Sequence, residues 1–177
     1  MSNQCGNSGC GTSAERICPE GYRYVKQVLE QSPKVAVMAC EGACIKGEVA
    51  RVAANMLAYQ MHREDAVRVC LGDAATGNSG FLELVQKAPR VISIEGCSLR
   101  CGTEILQNRI KNLEATVINA SDFYEYDKSR HFEIFDLPHS TIEDFSRKVA
   151  DHVSKALFTE QKPAQDQNDC GCCCGCC

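Results

Sequence analysis

Tryptophan is absent from this chain of 177 residues, and aromatic residues of every kind make up only 6% of it. That scarcity leaves little from which to build a base-stacking platform for single-stranded nucleic acid. Basic charge is also in short supply. Nineteen Lys and Arg stand against 23 Asp and Glu, for a net charge of −4, which argues against a nucleic-acid or membrane-surface partner. No apolar run approaches the ~18 residues that a membrane span requires. The opening Met1-Ser2-Asn3-Gln4-Cys5-Gly6 has neither the basic start nor the apolar core of a secretory signal, so a cytoplasmic location is expected.

Against these shortages stand 14 cysteines. Thiols stay largely reduced in the cytosol, so so many of them point to metal, sulfur or redox chemistry rather than to a disulfide framework. Cys5, Cys10 and Cys18 lie in a polar, glycine-rich opening segment. Cys40, Cys44, Cys70, Cys97 and Cys101 lie in the body, and Cys170, Cys172, Cys173, Cys174, Cys176 and Cys177 crowd the last eight residues.

The body reads as alternating strands and helices. Pro19 to about Gln31 has helical spacing of Tyr22, Val25, Val28 and Leu29, with Pro19 suited to a first turn. Lys34–Ala39, Ala66–Leu71 and Arg90–Ile94 read as strands, and the first has no polar alternation, as in a strand buried on both faces of a parallel sheet. A fourth short strand is expected over Ala115–Asn119.

Between these strands, helices are expected from Lys46 or Gly47 onward, over Phe81–Lys87 and over Thr103–Leu113. Residues 72–80 read as a loop, and His131–Phe135 as an edge strand or an ordered loop. Ser140 with Glu143 has the form of a capping box, opening a helix striped by Ile142, Phe145, Val149, Val153 and Leu157. The implied fold is α/β: a small three-layer, Rossmann-like sandwich with a mainly parallel sheet of about four strands joined by right-handed crossovers. Three segments follow: a flexible arm over residues 1–18, a domain over 19–160, and a disordered linker with a cysteine-rich tail over 161–177.

Three of the strands deliver thiols at their C-terminal ends, where open α/β sheets place their sites. The helix N-termini that follow favour an anion. Glycines 42, 96 and 102 let backbone amides come close to sulfur, and Lys46, Arg51 and Arg100 are placed either to add positive charge or to be solvated. Thiolates grouped in this way select soft or borderline ions: zinc, an iron–sulfur cluster or Cu(I).

Other readings of single residues stay open. For Cys70, at the end of an apolar strand, the alternative to a ligand is plain core. Cys44 is a ligand, a spare thiol or a replacement for a small polar residue. Glu95 and Asp73 invite an acid/base role, but an acidic residue at a strand end more often hydrogen-bonds a loop or caps a helix. The histidines, at 62, 131, 139 and 152, form no motif and read as surface residues.

Cys40-x-Gly42, Gly47-x-x-Ala50-Arg51-x-Ala53-Ala54, Cys70-Leu71 and Ile94-Glu95-Gly96-Cys97-x-x-x-Cys101, in that order, resemble the DGC-domain family of zinc-binding proteins over about residues 34–122. The resemblance implies a small cytoplasmic protein with four chelating cysteines, here Cys40, Cys70, Cys97 and Cys101. The chain departs from the family pattern in three places. Glu95 stands where an aspartate is usual, Cys44 takes a small-hydroxyl position, and Gly102 replaces a more typical alanine.

The functional expectation is therefore a cytosolic thiolate-based metal-binding protein, holding zinc at a cluster drawn from Cys40, Cys44, Cys70, Cys97 and Cys101. The tail thiols would capture soft metals or pass them to a metal-accepting partner protein. The competing expectations are an iron–sulfur or persulfide-dependent, desulfidase-like sulfur carrier with its own sulfur-accepting partner, and a thiol redox sensor. No general base, nucleotide loop or substrate pocket can be named, which weighs against an enzyme.

Overall fold

A computed structural model of the chain describes residues 18–31, 34–76 and 80–158. Both cysteine-rich termini, with the arm and tail expected there, lie outside the described residues except for Cys18. Four parallel strands form one sheet: β1 (Val35–Ala39), β2 (Ala66–Arg68), β3 (Val91–Glu95) and β4 (Thr116–Asn119), in the order β2-β1-β3-β4. In register, Ala36 lies beside Val91 and Ala39 beside Ile94, while Val35 lies beside Ala66. Among the described residues six α-helices accompany them: α1 (Pro19–Glu30), α2 (Ile45–Met56), α3 (Leu71–Ala75), α4 (Gly80–Lys87), α5 (Cys101–Gln107) and α6 (His139–Phe158).

The sheet is buried on both faces because successive strand side chains point to opposite sides. Val35, Val37, Ala39, Ile92 and Ile94 pack with the apolar stripes of α2 and α6. Ala36, Met38, Val67 and Val91 pack the other way, with residues of α1, α3, α4 and α5. On the first side, the small residues Ala50, Ala53 and Ala54 of α2 join Val149, Ala150 and Val153 of α6 in one core, and the Ser146 hydroxyl bonds the carbonyl of Val49 at 3.2 Å. The expected three-layer α/β sandwich is what the structure shows.

The order β2-β1-β3-β4 has a functional consequence. From β1 the chain steps to one side to make β2, then crosses back over β1 to make β3. The direction of winding therefore reverses between β1 and β3. Open α/β sheets bind ligands in the crevice that this reversal leaves at the carboxyl ends of the strands.

Several element boundaries differ from expectation, each for a local reason. The second strand stops at Arg68, and Leu71 opens a short helix where a loop was expected; an apolar run this short fits either state. Helix α5 begins two residues early and ends at Gln107. Asn112 beyond it holds a positive φ of 59°. Residues 128–136 form 3₁₀ turns, not an edge strand. Ser140 lies inside α6, which starts at His139, so the expected capping box does not form; the His139 Nδ1 lies 3.3 Å from the Glu143 Oε1 instead.

Candidate metal centre

Two loops meet at the winding reversal, one after β1 and one after β3. Glycine backbone brings them together. A Cβ on Gly47 would lie 2.5 Å from the Gly42 carbonyl oxygen, and a Cβ on Gly96 would lie 2.9 Å from the Gly47 nitrogen. The Cys40 loop, the first turn of α2 and the Cys97 loop are thus stacked backbone against backbone, at distances that no side chain tolerates.

Cys40 is the first residue past β1 and is 8% exposed. Its N–H donates to the Ile94 carbonyl at 2.9 Å, which holds it against β3. Burial pushes its thiol pKa up, the N–H groups of Gly42 and Gly96 pull it back, and Glu95 and Cys101 push it up again. Cys101 therefore acts on Cys40 electrostatically from across the crevice, at the first position of α5.

Cys44 caps α2, its sulfur accepting from the Gly47 N–H at 3.5 Å. Sulfur here does the work usually given to a Ser or Asn oxygen, at the helix end whose partial positive charge favours a thiolate. The position where Gly42 lacks a Cβ is 3.2 Å from the Cys40 sulfur and 3.9 Å from the Cys44 sulfur. Both sulfurs therefore border one gap. Cys97, half-buried in the loop after β3, acts together with Cys44 on Tyr124 and Tyr126.

Cys70 stands apart. It occupies the cap position of α3 without capping the helix, and it is exposed, which removes the core reading. It lines a cavity of about 610 Å³ together with Glu41, Arg51, Asn55, Tyr59 and Arg68, and it is not among the groups that act on Cys40. Arg68, a buried charge on β2, is matched there by Asn55, Glu41 and the Val69 carbonyl. The tail cysteines, 170–177, lie outside the described residues. Among the described residues, no three His, Cys, Asp or Glu side chains stand together in a metal-holding group.

The charged residues around the thiols have structural work. Glu95 is fully buried; it accepts from the N–H groups of Gly102 (3.2 Å) and Thr103 (2.7 Å) and from the hydroxyls of Thr103 (2.7 Å) and Ser93 (2.8 Å). It caps α5 from the end of β3, as an acidic residue at a strand end was expected to do. Arg51 is paired with Glu48 at 2.6 Å. Arg100 takes a left-handed φ of 54°, and its buried Nε has no partner.

The sequence offered no signal for Tyr124, Tyr126 and His131. They fall in an aperiodic stretch that the structure ties onto the site, the Ile45 N–H donating to the His131 carbonyl at 3.0 Å. Tyr126 and the His131 Nδ1 share a hydrogen bond of 2.6 Å. His131 is thus engaged at the site, and His62 is half-buried, stacked on Phe158 at 3.8 Å and bonded to Ser154; neither is the plain surface residue expected.

A doubly wound parallel sheet with cysteines on both loops of its switch point defines the class: an α/β domain presenting thiols at the carboxyl ends of its central strands. The family model of the DGC domain matches residues 36–153, and the chain belongs to that family. No curated protein and no solved structure gives a significant match to the chain.

Proposed function

We propose that this DGC-domain protein is a cytosolic metal-binding protein that holds zinc between the loops after β1 and β3. The sulfurs of Cys40, Cys44, Cys97 and Cys101 are the ligands, and the tail captures or hands over soft metal. One observation carries this reading. Cys40 and Cys44 on the loop after β1, Cys97 on the loop after β3 and Cys101 opening α5 stand at the switch point, where glycine backbone locks the two loops together and the Cys40 and Cys44 sulfurs border one gap at Gly42. The donor set fits a thiophilic ion, since thiolate selects zinc, iron–sulfur or Cu(I) over hard cations.

Each cysteine has a single side-chain torsion before sulfur, so rotamer changes re-aim the four sulfurs. Bound there, zinc would supply a cross-link between the two central strands' loops. The protein's own contribution is the glycine stack that fixes the loops, and the α2 terminus with the Gly42 and Gly96 amides that make thiolate less costly in a buried place. No helix among the described residues is long and apolar enough to cross a membrane, in keeping with the proposed location.

Anaerobic purification followed by metal analysis is the test. We expect a colourless protein with about one zinc in the core site, lost on Cys97→Ser and retained on Cys70→Ser. Deleting residues 163–177 should remove only the metal bound beyond that one. A brown protein with thiolate-to-iron absorption would replace zinc by an iron–sulfur cluster, and a core zinc retained in Cys97→Ser would overturn the ligand assignment.

A further inference from the structure

A cavity of about 710 Å³ runs along α5, on the side of the sheet that α4 and α5 cover. It reaches Val91 and Thr116, the first residues of β3 and β4, whereas the thiol loops stand at the carboxyl ends of the strands. Pockets for small organic ligands hold about 300–1,000 Å³, so this one has room for a molecule rather than a bare ion. None of its lining residues is a proposed metal ligand.

The charge of the lining is one-sided. Arg90 and Arg100 stand against a single acidic residue, Glu114, which leaves one positive charge. Arg90 is answered within the protein, although its Nε lacks a partner. Its guanidinium donates to the Leu157 carbonyl at 2.5 Å and lies over the Phe158 ring at 5.4 Å. Arg100 is not answered. Its Nε is buried without a partner, and among the described residues its guanidinium makes no hydrogen bond or ion pair. A guanidinium stays charged at every physiological pH, so it cannot shed its desolvation cost by losing a proton. Such a group calls for an anion from outside the protein.

The backbone adds a second sign. Arg100 holds a left-handed φ of 54°, a conformation that costs energy in a long side chain and gathers at ligand clamps. Asn112, the other non-glycine residue with positive φ among the described residues, lines the same cavity. Asn112 and Gln107 bring amides to it and Thr116 brings a hydroxyl. None of these three side chains is hydrogen-bonded to another described residue. Amides and hydroxyls both donate and accept, as recognition of a hydroxyl-bearing body requires.

We infer that this cavity binds a small hydroxylated monocarboxylic acid. The carboxylate is taken by the planar fork of Arg100, which matches its two oxygens, and the hydroxyls are met by Gln107, Asn112 and Thr116. One net positive charge suits a monoanion better than a phosphate monoester, which carries nearly two negative charges at neutral pH.

Isothermal titration calorimetry on the full-length protein tests this with gluconate, glucose and glucose 6-phosphate, three molecules with similar bodies and different head groups. We expect gluconate to bind, less tightly as salt rises, and glucose to bind about tenfold or more weakly than gluconate. Arg100→Gln should weaken gluconate about tenfold or more. Gln107→Ala, at the end of α5 away from the thiols, should weaken it about threefold. Equal gluconate affinity in the parent and both variants would overturn the inference, as would the absence of binding by all three compounds. Glucose binding as tightly as gluconate would remove the role of charge, and glucose 6-phosphate binding more tightly would make the cavity a phosphate site; either result overturns the carboxylate assignment. If Arg100→Gln melts far below the parent, Gln107→Ala and the order of the three ligands decide the matter.

Discussion

Glu95 has no counterpart among the residues around the crevice, because one carboxylate satisfies two backbone amides and two hydroxyls in a place closed to water. Its extra methylene, relative to the aspartate usual in the family pattern, carries the carboxylate from the end of β3 to the first turn of α5. Gly102 leaves room for this reach: a Cβ there would approach the Glu95 Oε1 to 3.1 Å, a close fit for the more typical alanine. The two departures are thus neighbours in space. Glu95→Gln replaces one acceptor oxygen by a donor among two backbone N–H groups, which can only donate, and two hydroxyls already committed as donors. We expect a loss of about 1–3 kcal/mol in unfolding free energy, read as a lower urea midpoint with an unchanged m-value. A midpoint unaltered within error would mean that the carboxylate is not what holds α5. The structural role of this residue was legible from its position beside a strand end; its four partners were not, since Thr103 and Ser93 gave no pattern in sequence.

Among the elements, α2 joins the site to the core. Its inner face carries the alanines and valines that meet α6, and its first turn carries Cys44. Ser is among the best cap residues and accepts the same bond from the third helical amide. Cys44→Ser should therefore leave metal-free stability within about 0.5 kcal/mol of the parent while weakening zinc by about tenfold or more. Chemical denaturation and competitive zinc titration separate the two effects. A large loss of stability would mark Cys44 as structural, and undiminished zinc affinity would return the fourth ligand position to Cys70. At the other end of the molecule, His62 stacks on Phe158 and bonds Ser154 of α6, and burial lowers its pKa, with Asp65 opposing. A lowered pKa means that the unfolded chain takes up the proton first. Its contribution is therefore present above the ordinary histidine value near 6.5 and is lost as pH falls below it. His62→Gln should flatten the stability profile between pH 7 and 5; an equally steep profile would assign the slope to other groups. Helix interiors were readable from periodicity, and strands from apolar runs. The starts of α2 and α5 were placed one or two residues late, because no local code announced Cys44 as a cap or a carboxylate reaching in from the end of β3.

Over the whole molecule, strand content and parallel pairing were legible, but the strand order was not, and the site depends on that order. Placing β1 beside β3 brings the Cys40 and Cys97 loops together, while Cys70, at the end of the edge strand β2, lines a cavity with Glu41 and Arg68. The sequence pattern grouped Cys70 with Cys40, Cys97 and Cys101 and left Cys44 open, and strand order, which bears on that grouping, could not be read from it. This placement also separates metal held by the core from metal held by the tail, without cutting the chain. An ion bound equally by folded and unfolded chains leaves the folding equilibrium where it was, whereas one bound only by the folded form adds RT ln(1 + [L]/Kd), about 2.7 kcal/mol at a hundredfold excess over Kd. The loops after β1 and β3 take their spacing from the folded sheet, but cysteines adjacent in sequence, as at 172–174 and 176–177, are close in either state. The full-length protein should therefore melt at a temperature that climbs with added zinc and drops with chelator. In Cys97→Ser the climb should vanish although part of the zinc still binds. Full zinc content with a melting temperature indifferent to zinc would confine the metal to the tail, and the crevice between β1 and β3 would lose its claim to hold it.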